Sequence, residues 1–164
     1  MNVRWKQFKM KIIITGGAGF IGKHLVNYLL DKGNIITIFD NFSNSEEKSI
    51  NHFIKKGVKV VNGDIRKFKE ILKETVDQDI LIHLAAKISV SESILNPSET
   101  FEVNVDGTKN VLEACKRSNI KKVIIASSAA VYGESSSQIK LKENSKTNPI
   151  SPYGKSKLVM EQEI

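Results

Sequence analysis

The stretch Lys11 to Gly22, KIIITGGAGFIG, constrains this chain more than any other. Ile12, Ile13, Ile14 and Thr15 run without a helical period and read as a strand buried on both faces, whereas Phe20 to Leu30 places its apolar residues at helical spacing. Gly16, Gly19 and Gly22 occupy the join. A strand-to-helix turn that binds a nucleotide needs glycines there for unusual backbone angles, close approach of backbone to a pyrophosphate, and tight packing of helix on strand. The helix N-terminus then faces the phosphates. Similar turns also arise for steric reasons alone, and Gly17, Gly19 and Gly22 satisfy a GxGxxG register equally well. The remaining residues have to choose.

Gly33 and Asn34 stop the first helix, and Ile35 to Phe39 is a second buried strand ending at Asp40. Asp40 lies 18 residues past Gly22. A carboxylate at that place accepts hydrogen bonds from both adenosine ribose hydroxyls and repels a 2′-phosphate, which favours NAD over NADP; the alternative is a turn cap for the polar loop FDNFSNSEE. Ser45 can cap a helix reaching about Lys56, Val58 to Val61 is a third strand, and Asp64 either reaches the adenine edge or caps a helix over 66–74.

Ile80 to Leu84 is the fourth strand, ending in HLAAK, where Ala85 and Ala86 let backbone pass close to a bulky group and His83 reads as a packed strand histidine. A polar stretch precedes a helix from near Pro97 to about Ser118, whose stripe Phe101, Val105, Leu112 and Cys115 faces the core, with Asn104 one position off it. Val123 to Ala126 is the fifth strand, followed by Ser127 and Ser128. Residues 133–150 are polar loop, and Ser151, Pro152 and Tyr153 open a last helix. Strands alternating with helices give a Rossmann-like, doubly wound parallel α/β sheet in the order 3-2-1-4-5.

Composition excludes other classes. With 164 residues, 40% hydrophobic and 26% charged, the chain has the material for one soluble domain. One cysteine, Cys115, gives neither a disulfide frame nor a metal cluster and suits a reducing, cytoplasmic setting. No apolar run is long enough to span a membrane, and residues 1–10 are basic without a signal-peptide core, so they read as a loose extension with Met10 a plausible alternative start. The net charge of +7 comes from scattered lysines rather than a stripe, which argues against nucleic acid.

Tyr153 and Lys157 stand at i and i+4, so they project from one helix face. A tyrosine titrates near 10 when free; an adjacent ammonium, with a positive nicotinamide ring, brings a phenolate closer to working range, and Ser128 can hold a substrate hydroxyl in line. The same spacing arises by chance on exposed helices. Its weight here comes from coincidence with the glycines, Asp40 and the two serines at one end of one sheet.

TGGAGFIG, FDNFSN, GDI, HLAAK, NVDGT, SSAAVYG and SPYGKSK, in this order, resemble the extended short-chain dehydrogenase/reductase family and its NAD-dependent epimerase/dehydratase branch, over residues 11–164. The resemblance is strongest to the nucleotide-sugar 4-epimerases of the UDP-glucose/UDP-galactose type. It implies that Phe20 and Ile21 cradle the pyrophosphate and that Asp40, Asn41, Phe42, Ser43, Asn44 and Ser45 form the adenosine-ribose loop. Asp64 and Ile65 would flank adenine. Leu84, Ala85, Ala86, Lys87 and Ile88 would line the nicotinamide side, with Asn104 supporting them. Ser128 would bind the reacting sugar hydroxyl, Tyr153 would be the base, and Lys157 would bond the nicotinamide ribose and tune Tyr153. In such epimerases the C4 hydroxyl is oxidised, the 4-keto sugar turns over, and the hydride returns to its opposite face, so NAD is recycled.

Members of this family continue well past the YxxxK helix into a region that grips the nucleotide-sugar, whereas this sequence stops seven residues after Lys157. The expectation is a truncated cofactor-binding domain whose protein partner is a second copy in a homodimer or a separate chain that supplies the C-terminal half. Ala129 and Ala130 stand where dehydratases of the family carry acidic residues, which disfavours that activity. A non-catalytic NAD-binding or assembly module is the remaining alternative.

Overall fold

A computed structural model describes residues 9–134 and 140–164. Most of the expected N-terminal extension (1–8) and part of the expected polar loop (135–139) lie outside the described residues. Five strands, β1 (Lys11–Thr15), β2 (Ile35–Asp40), β3 (Lys59–Asn62), β4 (Ile80–His83) and β5 (Lys122–Ile125), form one sheet in the order β3-β2-β1-β4-β5. Every pairing is parallel, as the alternation of strands and helices requires. The helices are α1 (Phe20–Asp31), α2 (Asn51–Lys55), α3 (Phe68–Thr75), α4 (Val90–Leu95), α5 (Pro97–Phe101), α6 (Gly107–Arg117) and α7 (Pro152–Gln162).

Successive strand residues point to opposite faces, and β1 divides its isoleucines accordingly. Ile12 and Ile14 pack with Ile36, Ile38, Val26 of α1 and Phe53 of α2, while Ile13 joins Phe39, Leu81, Ile71 of α3 and Val111 and Cys115 of α6. Both faces are covered, which is why the strand reads as an unbroken apolar run. Met10, assigned above to a loose extension, is tied to the sheet: its N–H donates to Asn34 Oδ1 at 3.3 Å and its carbonyl accepts from Ile35 N at 2.9 Å.

Ser45 does not open a helix; a 3-10 turn over Glu47–Ile50 leads into the short α2, and the Ser45 hydroxyl turns back to Asp40 at 3.5 Å. Asp64 does not cap α3, which begins at Phe68, because its carboxylate is taken by Arg66. The polar stretch after β4 contains α4, whose N-cap Ser89 accepts from Glu92 N at 3.2 Å. The helix expected from Pro97 is α5 and α6 joined by a π-turn over Glu102–Asp106. That turn shifts the buried face, so Val105, Val111, Ala114 and Cys115 are buried while Phe101 and Leu112 are half-buried.

Candidate functional site

A cleft of ≈ 520 Å³ opens where the strands end, lined by the glycine turn, the loop after β2, the ends of β3, β4 and β5, and α7. At its floor Gly16 has φ +70°, and a Cβ there would lie 2.7 Å from Ala85 N. A Cβ on Gly22 would lie 2.5 Å from Gly16 O. Gly16, Gly19 and Gly22 line the cleft, whereas Gly17 abuts Ile38 of the core. The N-terminus of α1 has no side-chain cap and no acidic residue in its first turn, while Phe20 and Ile21 are 78% and 65% exposed. Uncapped N–H groups of a twelve-residue helix facing a cleft make a site for phosphate.

Asp40, 9% exposed at the end of β2, accepts from Ala18 N at 3.0 Å through one oxygen and from Phe42 N at 2.9 Å through the other. It thus serves as a turn cap while its carboxylate lines the cleft. Oδ2 keeps a lone pair for a hydroxyl, while Oδ1 also takes the long contact from Ser45 Oγ at 3.5 Å, which an incoming hydroxyl would replace. Asn41, Ser43, Asn44 and Ser45 also line the cleft. Phe42 does not: with φ +57° its ring turns inward to pack on the core. Asp64 and Ile65 form the wall beyond β3, and the Arg66 guanidinium holds the Asp64 carboxyl below the usual carboxylate range.

Leu84 to Ile88 pass over the opposite wall. Their path is fixed by Asn104, buried on the π-turn, whose Oδ1 accepts from Lys87 N at 2.8 Å and whose Nδ2 donates to Lys87 O at 3.0 Å and Ser156 Oγ at 2.9 Å. Asn104 stands behind the cleft rather than in it.

Ser151 caps α7 by accepting from Gly154 N at 3.0 Å, and the helix turns Tyr153 and Lys157 into the cleft. The backbone of Tyr153 is held at both ends: its N–H donates to Ser93 Oγ at 3.1 Å, and its carbonyl accepts from Ser156 Oγ at 2.7 Å. Lys157 is 5% exposed and donates to Ala126 O at 3.0 Å. Burial pushes its ammonium down to about 8, opposed by the charge of Glu161. Of the two serines after β5, Ser127 lines the cleft and Ser128 does not; the Ser128 hydroxyl accepts from Ala130 N at 3.2 Å and caps a 3-10 turn over Ala129–Val131.

His83 is packed as expected. Thr108 Oγ1 spends its proton on Asn104 O at 2.7 Å, so it can only accept from His83 Nε2 at 3.0 Å. In the neutral ring that burial favours, the other nitrogen accepts from Thr15 Oγ1 at 2.6 Å, which is the Nε2–H tautomer. Among the described residues no cluster of metal-ligating side chains occurs, and no helix is long and apolar enough to cross a membrane.

Residues 12–164 match the model of the NAD dependent epimerase/dehydratase family. The chain belongs to that family. A UDP-glucose 4-epimerase of Halalkalibacterium halodurans is 37% identical over 155 residues, covering 93% of this chain and 45% of that protein. Among solved structures, the UDP-N-acetylglucosamine 4-epimerase of Methanobrevibacter ruminantium, in complex with UDP-N-acetylmuramic acid, superposes with a TM-score of 0.87 at 37% identity, covering 94% of this chain and 49% of that one. The UDP-glucose 4-epimerase of Thermus thermophilus, in complex with NAD, has a TM-score of 0.87 at 34% identity, covering 93% and 49%. The chain therefore spans about half the length of the epimerases it matches.

Residue spacing alone missed several parts of this epimerase/dehydratase-family site. Phe39, Arg66, Glu99, Val103 and Ala126 also line the cleft. Ser93, which anchors Tyr153, sits on a helix announced only by the Ser89-x-x-Glu92 pattern of a capping box. Of the two serines expected at this end of the sheet, Ser127 is the one on the cleft wall.

Proposed function

We propose that the cleft holds NAD and that its walls carry the proton-handling groups of a nucleotide-sugar 4-epimerase acting on UDP-hexoses. The observation that carries this reading is that Tyr153 and Lys157 line the same cleft as the glycine turn and Asp40. The first turn of α1 receives the pyrophosphate, Asp40 the adenosine ribose hydroxyls, and Asp64 with Ile65 the adenine edge. NAD, when bound, supplies the hydride acceptor and donor. Tyr153 takes the proton of the sugar's 4-hydroxyl and later returns it, Lys157 donates to the cofactor ribose, and Ser128, set back from the cleft wall with its oxygen accepting from Ala130 N and its own proton unspent, orients the reacting hydroxyl from behind Ser127. Ala129 and Ala130 leave no carboxylate beside it, which supports epimerisation over dehydration. The rest of the sugar-nucleotide site, in this reading, is built by polypeptide corresponding to the other half of the relatives.

The test is Tyr153→Phe in protein that includes that polypeptide. Interconversion of UDP-galactose and UDP-glucose is expected to fall by about a thousandfold while NAD affinity is retained. Turnover that survives the substitution would remove Tyr153 from this role.

A further inference from the structure

Glu161 has no part in the chemistry described so far, yet it completes a stripe with Tyr153 and Lys157 at i, i+4 and i+8 on α7. Two consecutive residues at the end of β5 receive that stripe. Ala126 offers its carbonyl to Lys157 Nζ at 3.0 Å, and the Ser127 hydroxyl, on the cleft wall, donates to the Glu161 carboxylate. Lys157 is nearly sealed from solvent and, among the described residues, has no carboxylate within ion-pair distance; its other close contact is Met160 Sδ at 3.8 Å. A buried ammonium held by one carbonyl and a thioether is costly.

The groups facing it are few. His83 of β4 is neutral, and Tyr153 and Glu161 share its helix. On the elements packed against α7, Glu99 pairs with Lys87 and Glu102 approaches Arg66, while Glu92 and Asp106 are exposed. Glu161 is exposed like them and beyond ion-pair distance, but it stands one helical turn from Lys157 and is fixed there by Ser127, and its charge opposes the effect of burial on the ammonium.

We infer that Glu161 is a positioning residue for Lys157: latched to the end of β5 by Ser127, it holds the α7 turn that carries Lys157 against Ala126 and supplies the compensating charge for the buried ammonium. The inference rests on the cofactor reading for its purpose, and on geometry alone for the latch. A hydroxyl at position 127 and a carboxylate at position 161 are then one device, and neither needs to touch the substrate.

The latch is tested without cofactor by following the 13Cε resonance of Lys157 with pH in this chain, assigned by Lys157→Arg. Glu161→Gln keeps an acceptor for Ser127 but removes the charge, and the Lys157 midpoint is expected to fall from about 8 by about half a pH unit or more. Ser127→Ala frees the carboxylate and moves the midpoint the same way, and Ser127→Thr restores it. Midpoints that coincide in all four proteins overturn the inference. NAD affinity measured across the same pH range supplies the functional arm: its alkaline decline should shift with the midpoint in Glu161→Gln. A shifted midpoint with an unshifted binding profile overturns the positioning role. Absence of NAD binding in every protein, with the Lys157 shifts present, sinks the cofactor reading and leaves the latch standing.

Discussion

Acid should destabilise this fold through one buried histidine. His83 is 2% exposed, lies between Thr15 and Thr108, and is held neutral by a hydrogen-bond pattern with no place for a second ring proton unless Thr15 reverses its hydroxyl. Burial, with the Lys157 charge adding to it, pushes its pKa from 6.5 down to about 3. Between those values the unfolded chain binds a proton that the folded chain refuses, so stability is lost as pH falls through 6.5 toward 3. Linkage puts the loss from this residue between pH 7 and pH 4 at about 3 kcal/mol, a large part of the 5–15 kcal/mol typical of a domain. Carboxylates titrate in the same range, so the measurement is a difference. Urea unfolding followed by far-UV circular dichroism at several pH values should show the wild type losing about 3 kcal/mol more than His83→Gln, whose neutral amide can still accept and donate. Equal pH slopes in the two proteins, or a His83 imidazole titrating near its ordinary value by NMR, would refute the argument.

Other substitutions separate the parts of the site. Asn104→Ala removes three hydrogen bonds from a buried carboxamide and should cost about 2–4 kcal/mol, with faster amide exchange at Lys87 as the local signature. Gly22→Ala drives a methyl into Gly16 and Gly17, so it should lower Tm by several degrees and weaken NAD binding. Gly33→Ala meets nothing within 4 Å and should cost only the strain of its φ of +81°, about 1 kcal/mol. Cys115, buried and pushed up to about 11, should resist thiol reagents at pH 8 until urea unfolds the chain.

How much of this was legible depends on whether neighbours in sequence or neighbours in space set the feature. β1, its glycine turn and α1 could be read directly, because an unbroken apolar run followed by glycines at fixed intervals allows few alternatives. The sheet order followed from the alternation of elements. The π-turn could not be read, since one additional residue in a helical turn leaves the local apolar spacing almost unchanged while moving Asn104 onto Lys87 and Ser156. The family resemblance puts Phe42 in the ribose loop, but its left-handed backbone sends the ring to the core. Nothing near Lys157 in sequence announces Ala126 as its acceptor, because that contact joins residues 31 apart.

The measurement closest to the central claim is a titration of this chain with NAD and with NADP, repeated for Asp40→Asn. Asp40 at the end of β2 and the uncapped turn of α1 predict saturable NAD binding, NADP weaker by about tenfold or more, and a narrowed difference in the variant. Equal affinity for the two dinucleotides, or binding of neither, would contradict the assignment of this cleft.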